Sequence, residues 1–234
     1  METILAVDIK KGKAVKAFAG FRLNYKPLMV NSLDYSDPIK LIRTILKKMD
    51  LKKIYLADLD SIQNLKPNDY LIEKILITFP EINFLIDSGF DYPITIERFC
   101  NQLRQKNIIN FQIVVGTEKI KNYNFRNFFS NSDSKISIDF NGTQKKWFKK
   151  IKKLKNKPEL ILMFLKKIGG RGIEWKQIRN MIKLFPENSF TVAGGVKYEN
   201  QKKKLSVMGV DAVIVSTLIH RKYLGTNNPE DTSF

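Results

Sequence analysis

The sequence predicts an α/β protein, a (β/α)8 TIM barrel built from two similar half-barrels, and three observations carry that expectation. Short strand-like runs alternate with helical patterns along the chain, as parallel βα units require. Several of the eight runs are apolar at nearly every position, as strands covered on both faces should be. The third observation is an echo. Ile4-Leu5-Ala6-Val7-Asp8 returns as Lys135-Ile136-Ser137-Ile138-Asp139, each run ending on aspartate. Phe84-Leu85-Ile86-Asp87-Ser88-Gly89 returns as Phe190-Thr191-Val192-Ala193-Gly194-Gly195, and Val114-Val115-Gly116-Thr117 as Ile214-Val215-Ser216-Thr217. The reading is one barrel domain over 1–234, with half-barrels of about 1–120 and 121–224 and a tail over 225–234.

In chain order, the strands are expected near 3–9, 54–58, 83–87, 111–115, 135–139, 160–164, 189–193 and 211–215. Residues 10–35 read as a long loop after the first strand, with Gly12, Gly20 and Pro27 as turn signals. Ser36-Asp37-Pro38 supplies a cap and a first-turn proline, and Ile39, Ile42, Ile45 and Leu46 then recur on one helical face. Pro67 opens the next helix, whose apolar stripe is Leu71, Ile72, Ile75, Leu76 and Phe79. Further helices are expected over 94–107, 143–155, 174–185 and 198–208, with a short or irregular one over 121–134.

At 234 residues the chain is long enough for one large core. No run is long and apolar enough to span a bilayer, and the first nine residues read as a strand, not a leader. The expected location is therefore cytoplasmic. A single cysteine, Cys100, and a single histidine, His220, exclude a disulfide framework and a Cys/His zinc site. Cys100 reads as a buried structural thiol, and His220 as a solvated or locally bonded side chain. The net charge of +18 is spread over lysines on outer helix faces, so nucleic-acid binding is not the main expectation. Such a field would still draw in a phosphorylated small molecule.

In a closed eight-stranded parallel barrel the reactive face lies at the C-terminal ends of the strands. Strands one and five are opposite, so Asp8 and Asp139 should meet across the mouth as an acid–base pair. Gly194-Gly195 offers backbone amides, and Ser216-Thr217 opens a short final helix whose positive end attracts an anion. Ser88-Gly89 and Gly116-Thr117 offer a weaker copy in the first half. Two such cradles would hold a substrate with a phosphate at each end. Each glycine also has a plainer role open to it, that of making a tight βα turn.

These segments resemble a known family, the histidine-biosynthesis barrels: the phosphoribosylformimino-aminoimidazole carboxamide ribotide isomerase and the imidazole glycerol phosphate synthase cyclase. The resemblance rests on Val7-Asp8-Ile9-Lys10-Lys11-Gly12-Lys13-Ala14-Val15, Ala57-Asp58-Leu59-Asp60, Val115-Gly116-Thr117 and Ser137-Ile138-Asp139. Ala193-Gly194-Gly195-Val196 and the run from Gly209 to Leu218 complete it. It implies an aldose–ketose isomerase performing an Amadori rearrangement without metal or organic cofactor. Asp139 would be the acid that opens the ribose ring and Asp8 the base. Lys10, Arg22, Asp58, Gly170 and Arg171 join the phosphate residues as candidate substrate contacts. The expected partner is a small phosphorylated substrate, with no membrane; the oligomeric state is left open.

Two departures stand out. The family's isomerases carry Thr at the end of strand six and an Asp-Gly-Thr turn, where this chain has Met163-Phe164-Leu165 and Gly169-Gly170-Arg171-Gly172. The family's Gly-Gly-Gly after strand three is Asp87-Ser88-Gly89 here, which sets a negative charge beside the expected phosphate position. The first loop, Gly20-Phe21-Arg22-Leu23-Asn24-Tyr25-Lys26-Pro27, looks like that of archaeal and methylotroph relatives linked with one-carbon carriers. A paralogue acting on another phosphorylated substrate, in methanopterin or methanofuran synthesis, is therefore the rival reading. A noncatalytic phosphoribosyl-ligand or nucleic-acid binder is the alternative of another class.

Overall fold

The computed structural model describes residues 1–120, 134–142, 144–169 and 171–225. Eight parallel strands close into a barrel: β1 (Glu2–Lys10), β6 (Lys53–Asp58), β7 (Asn83–Asp87), β8 (Phe111–Gly116), β9 (Lys135–Asp139), β10 (Leu160–Met163), β11 (Phe190–Ala193) and β12 (Ala212–Val215). Each pairs with the next, and β12 returns to β1, with Leu5 opposite Val215 on one side and Ile54 on the other. Closure leaves no open edge among these eight, and it sets β1 and β9 across the barrel from one another.

The period of two along each strand sorts its side chains between two cores. Leu5, Val7, Ile9, Leu56, Ile86, Ile136 and Ile138 face outward to helix residues such as Ile42, Ile75, Phe99, Ile151 and Ile178. Ile4, Tyr55, Leu85, Val114, Ile161 and Ile214 fill the barrel interior. The same alternation carries the inward set of β1 from Ile4 through Ala6 to Asp8, and that of β7 from Leu85 to Asp87. Strand parity thus delivers each aspartate to the inside of the mouth.

Surrounding helices follow their sequence signals. Pro38–Leu46 starts where the Asp37 carboxylate accepts from the Ile39 and Lys40 amides, at 2.8 and 3.1 Å. Asp69–Thr78, Pro93–Arg104, Lys145–Lys152, Trp175–Leu184, Glu199–Val207 and Thr217–Leu224 follow, most of them slightly shorter than their apolar patterns. A helical turn at Leu59–Ile62, too short to show a period in sequence, fills the space between β6 and the third strand's exit. The irregular helix expected over 121–134 and the tail lie almost wholly outside the described residues. None of the helices is long and apolar enough to cross a membrane among the described residues. Cys100 is buried, as expected. His220 is buried too, so it is not solvated, and its Nε2 meets no hydrogen-bond partner among the described residues. Desolvation lowers its pKa to about 4, with Lys16 adding repulsion.

The stretch after β1 differs from the long loop expected over 10–35. Lys11 and Gly12, both at positive φ, reverse the chain into β2 (Lys13–Lys16), which pairs antiparallel with β1. β3 (Lys26–Pro27) adds to β2, and β4 (Met29–Val30) and β5 (Leu33–Asp34) form a separate hairpin. A 3-10 turn at Arg22–Asn24 lies between β2 and β3. It is tied down on two sides. The Ala19 amide donates to Ile168 O at 3.0 Å, and Lys10 Nζ donates to Arg22 O at 2.5 Å and Leu23 O at 3.2 Å. The result is a strap that carries Arg22 and Tyr25 over the mouth.

Candidate active site

A cavity of about 730 Å³, part of it open to solvent, occupies the C-terminal mouth. Asp8 and Asp139 both line it, together with Arg22 and Tyr25 from the strap, Tyr55 and Asp87 from β6 and β7, and Glu118 from the turn after β8. Gly194, Gly195, Ser216 and Thr217 line the other side. The pair anticipated from the echo therefore shares one cavity, and Gly194, Gly195, Ser216 and Thr217 line it too.

Asp139 is 3 % exposed and firmly seated. Its Oδ1 accepts from Ser137 Oγ at 2.8 Å, and its Oδ2 from the Glu118 amide at 3.0 Å and Thr117 Oγ1 at 3.2 Å. Desolvation nevertheless raises its pKa to about 7, reinforced by the negative charges of Glu118 and Asp87. Asp8 also rises to about 7 through burial; Arg22 opposes that shift and Asp87 adds to it. No hydrogen bond holds the Asp8 carboxylate among the described residues, so it is free to meet a ligand. Asp87 rises to about 6 by burial, although Tyr55 Oη donates to its Oδ2 at 2.7 Å. Arg22 forms an ion pair with Glu118 through both terminal nitrogens.

The remaining expected residues divide. Gly194 and Gly195 face the cavity, and they also allow close packing: a Cβ on Gly195 would lie 2.0 Å from Gly172 O, at φ +93°. Among the described residues, no protein acceptor meets the amides of Gly194, Gly195, Ser216 or Thr217. In the first half the picture reverses. Gly116 and Thr117 do not line the cavity; they seat Asp139. A Cβ on Gly116 would come 3.1 Å from Asp139 Oδ2, and the Thr117 hydroxyl accepts from the Asp139 amide at 2.8 Å while donating to its carboxylate. Ser88 and Gly89 are off the wall as well. The Gly89 amide turns back to Asp87 Oδ1 at 3.2 Å, and a Cβ there would sit 2.7 Å from Ile62 Cα.

Asp58 is a helix cap that does not line the cavity. Its carboxylate accepts from the amides of Asp60, Ser61 and Asn68 and from Asn68 Nδ2, at 2.7–3.2 Å. Lys10 braces the strap, and Arg171 lies over the Phe18 ring at 5.3 Å, away from the cavity wall. Gly170 lies outside the described residues. Sequence reasoning missed four polar wall residues: Tyr25, Tyr55, Asp87 and Glu118. Asp87 reads in sequence only as an unwelcome charge, although it ends its strand as Asp139 does and as Asp8 nearly does. Tyr25, Tyr55 and Glu118 carry no signal that spacing alone reveals.

Fold and mouth together define a parallel (β/α)8 barrel whose polar, titratable groups converge at the C-terminal ends of its strands. The chain belongs to the histidine biosynthesis protein family, whose model matches residues 2–224. It is also 27% identical over 228 residues to an uncharacterized protein of Methanocaldococcus jannaschii, covering 96% of this chain and 95% of that relative.

Proposed function

We propose that this barrel is an aldose–ketose isomerase that performs an Amadori-type rearrangement on a phosphorylated aminoaldose. The observation that carries the reading is the placement of Asp8 and Asp139 in one cavity, both with pKa values raised to about 7. Groups that titrate near neutrality can both donate and accept a proton during turnover. Arg22 beside Asp8 favours its carboxylate form, which suits a base. Glu118 near Asp139 disfavours ionisation there, which suits an acid, while Asp87 acts on both groups in the same sense.

The steps follow from those states. Asp139 gives its proton to the ring oxygen as the C1–O bond breaks and the nitrogen lone pair forms a C1=N bond. Asp8 takes the proton from C2, and that electron pair becomes a C1=C2 bond, leaving a neutral enolamine. Asp8 then protonates C1, and the O2 proton returns to Asp139 as the C2 carbonyl forms. Nothing is oxidised or reduced overall. The phosphate rests at Gly194, Gly195 and the first turn of Thr217–Leu224, where amides and the helix dipole meet negative charge.

The test is conversion of a set of N-substituted 5-phosphoribosylamines, the histidine-pathway aminoaldose included, followed by NMR in heavy water. Wild-type protein should form the ketose and carry solvent deuterium into C1. Asp8→Asn should lose about 10³-fold in turnover yet keep ligand affinity within about threefold. Equal behaviour of the two proteins would point to a noncatalytic ligand binder and end the proposal. Asp87 on the cavity wall favours a second form of the reading, in which the substrate is a phosphorylated compound other than the histidine-pathway one.

A further inference from the structure

The two halves of the mouth are chemically unlike. On the β11–β12 side the wall is Gly194, Gly195, Ser216 and Thr217, whose amides meet no protein acceptor among the described residues. On the β7–β8 side none of Ser88, Gly89, Gly116 or Thr117 reaches the wall. Their places are taken by the carboxylates of Asp87 and Glu118 and by Leu59 and Ile62 of the short helical turn.

Phosphate cradles are built from backbone amides, so the engagement of the Gly89 amide and of those over 117–120 bears on what that side can hold. The Gly89 amide serves Asp87. After β8, Thr117 N donates to Ser137 O at 2.9 Å, Glu118 N to Asp139 Oδ2 at 3.0 Å, and both Lys119 N and Ile120 N to Gly116 O at 3.1 Å. Four successive donors are thus spent on protein acceptors. The space a phosphate would need is occupied as well, since Ile62 Cα stands 2.7 Å from where a Cβ on Gly89 would be. Among the described residues one cation, Arg22, lines the cavity, and it is engaged by Glu118 while four carboxyl groups line the same cavity. Those carboxyls do not converge as a metal site among the described residues. A group that donates hydrogen bonds, and carries positive charge, is the complement of such a wall.

We propose that this cavity selects a substrate with a single phosphate, held at Gly194, Gly195, Ser216 and Thr217, whose opposite end is an amine-type nitrogen group received by Asp87 and Glu118. The inference rests on the isomerase reading of the same cavity and narrows its substrate class: a compound with a phosphate at each end is rejected.

The experiment compares three probes by calorimetric titration at pH 7: glucose 6-phosphate, glucosamine 6-phosphate and fructose 1,6-bisphosphate. Wild-type protein should bind glucosamine 6-phosphate at least tenfold tighter than either of the others. Glu118→Gln and Asp87→Asn should each shrink both ratios toward one, and Thr217→Glu should weaken all three ligands. Should Asp87→Asn not fold, Glu118→Gln carries the comparison. If the bisphosphate binds as tightly as the aminosugar, or the amine adds nothing, the proposal falls while the deuterium assay leaves the isomerase intact. If no probe binds, or Thr217→Glu changes nothing, the phosphate end falls too, and both readings with it.

Discussion

Replacing Asp139 by Asn should make the protein more stable at alkaline pH while disabling it. The carboxyl is nearly inaccessible, and its pKa rises from 3.8 to about 7 on folding. A group held at a higher pKa in the native state binds more protons there than in the unfolded chain. Its contribution is therefore most favourable below about pH 4, is lost as pH climbs, and levels off above about pH 7. A rise of that size costs the charged form about 4 kcal/mol in the folded protein. Asparagine removes the titration and keeps the shape: its oxygen can still accept from the Glu118 amide, while its NH2 can donate to Ser137 Oγ. Weaker neutral hydrogen bonds return about 1 kcal/mol of the gain. The variant should thus match the wild type at pH 4.5 and exceed it by about 3 kcal/mol at pH 8. Urea unfolding at the two pH values reads this directly, as a midpoint difference of about 1 M at pH 8 and none at pH 4.5. Parallel curves at both pH values would refute the claim that Asp139 is buried as a proton-holding acid.

The same geometry makes other outcomes specific. Arg22→Met removes the cation that lowers the Asp8 pKa, so the acid limb of the kcat/KM profile should move to higher pH; an unmoved limb would mean that Asp8 is not the base. Gly89→Ala would press a methyl against the Ile62 backbone at φ +62°, at a cost of about 2–3 kcal/mol. A fall of roughly 5–10 °C in melting temperature is expected, and a loss under about 2 °C would show that the helical turn Leu59–Ile62 yields easily.

The barrel and the meeting of Asp8 and Asp139 in one cavity were readable because both depend on strict periodicity. Apolar runs broken by helical stripes define the βα units, and an aspartate at the exit of an inward-facing register has nowhere to go but the mouth. What spacing could not show is which polar groups are already engaged. Asp58, Gly116 and Thr117 look like ligand contacts in one dimension, yet one caps a helical turn and two grip Asp139. Arg22 and Tyr25 sit in a loop whose path depends on the β1–β2 reversal at Lys11 and Gly12 and on the anchoring of Ala19 to Ile168. Glu118 reaches the cavity because its own amide is bound to Asp139. None of these contacts has a sequence period, so they emerge only when the chain is folded.

Trp147 gives this barrel an optical handle on its own chemistry. The indole is buried on the helix Lys145–Lys152, and its Nε1 donates at 3.1 Å to the carbonyl of Thr117, whose hydroxyl interlocks with Asp139. Lys146 and Lys150 lie over the ring at 5.5 and 5.0 Å, so the chromophore already sits in a polarising field. Gain or loss of charge at that carboxyl should therefore shift the emission of a residue that never touches ligand. An unlabelled sample in a pH-stepped fluorimeter, with Trp175 replaced by Phe, would let the proton on the acid be followed by light.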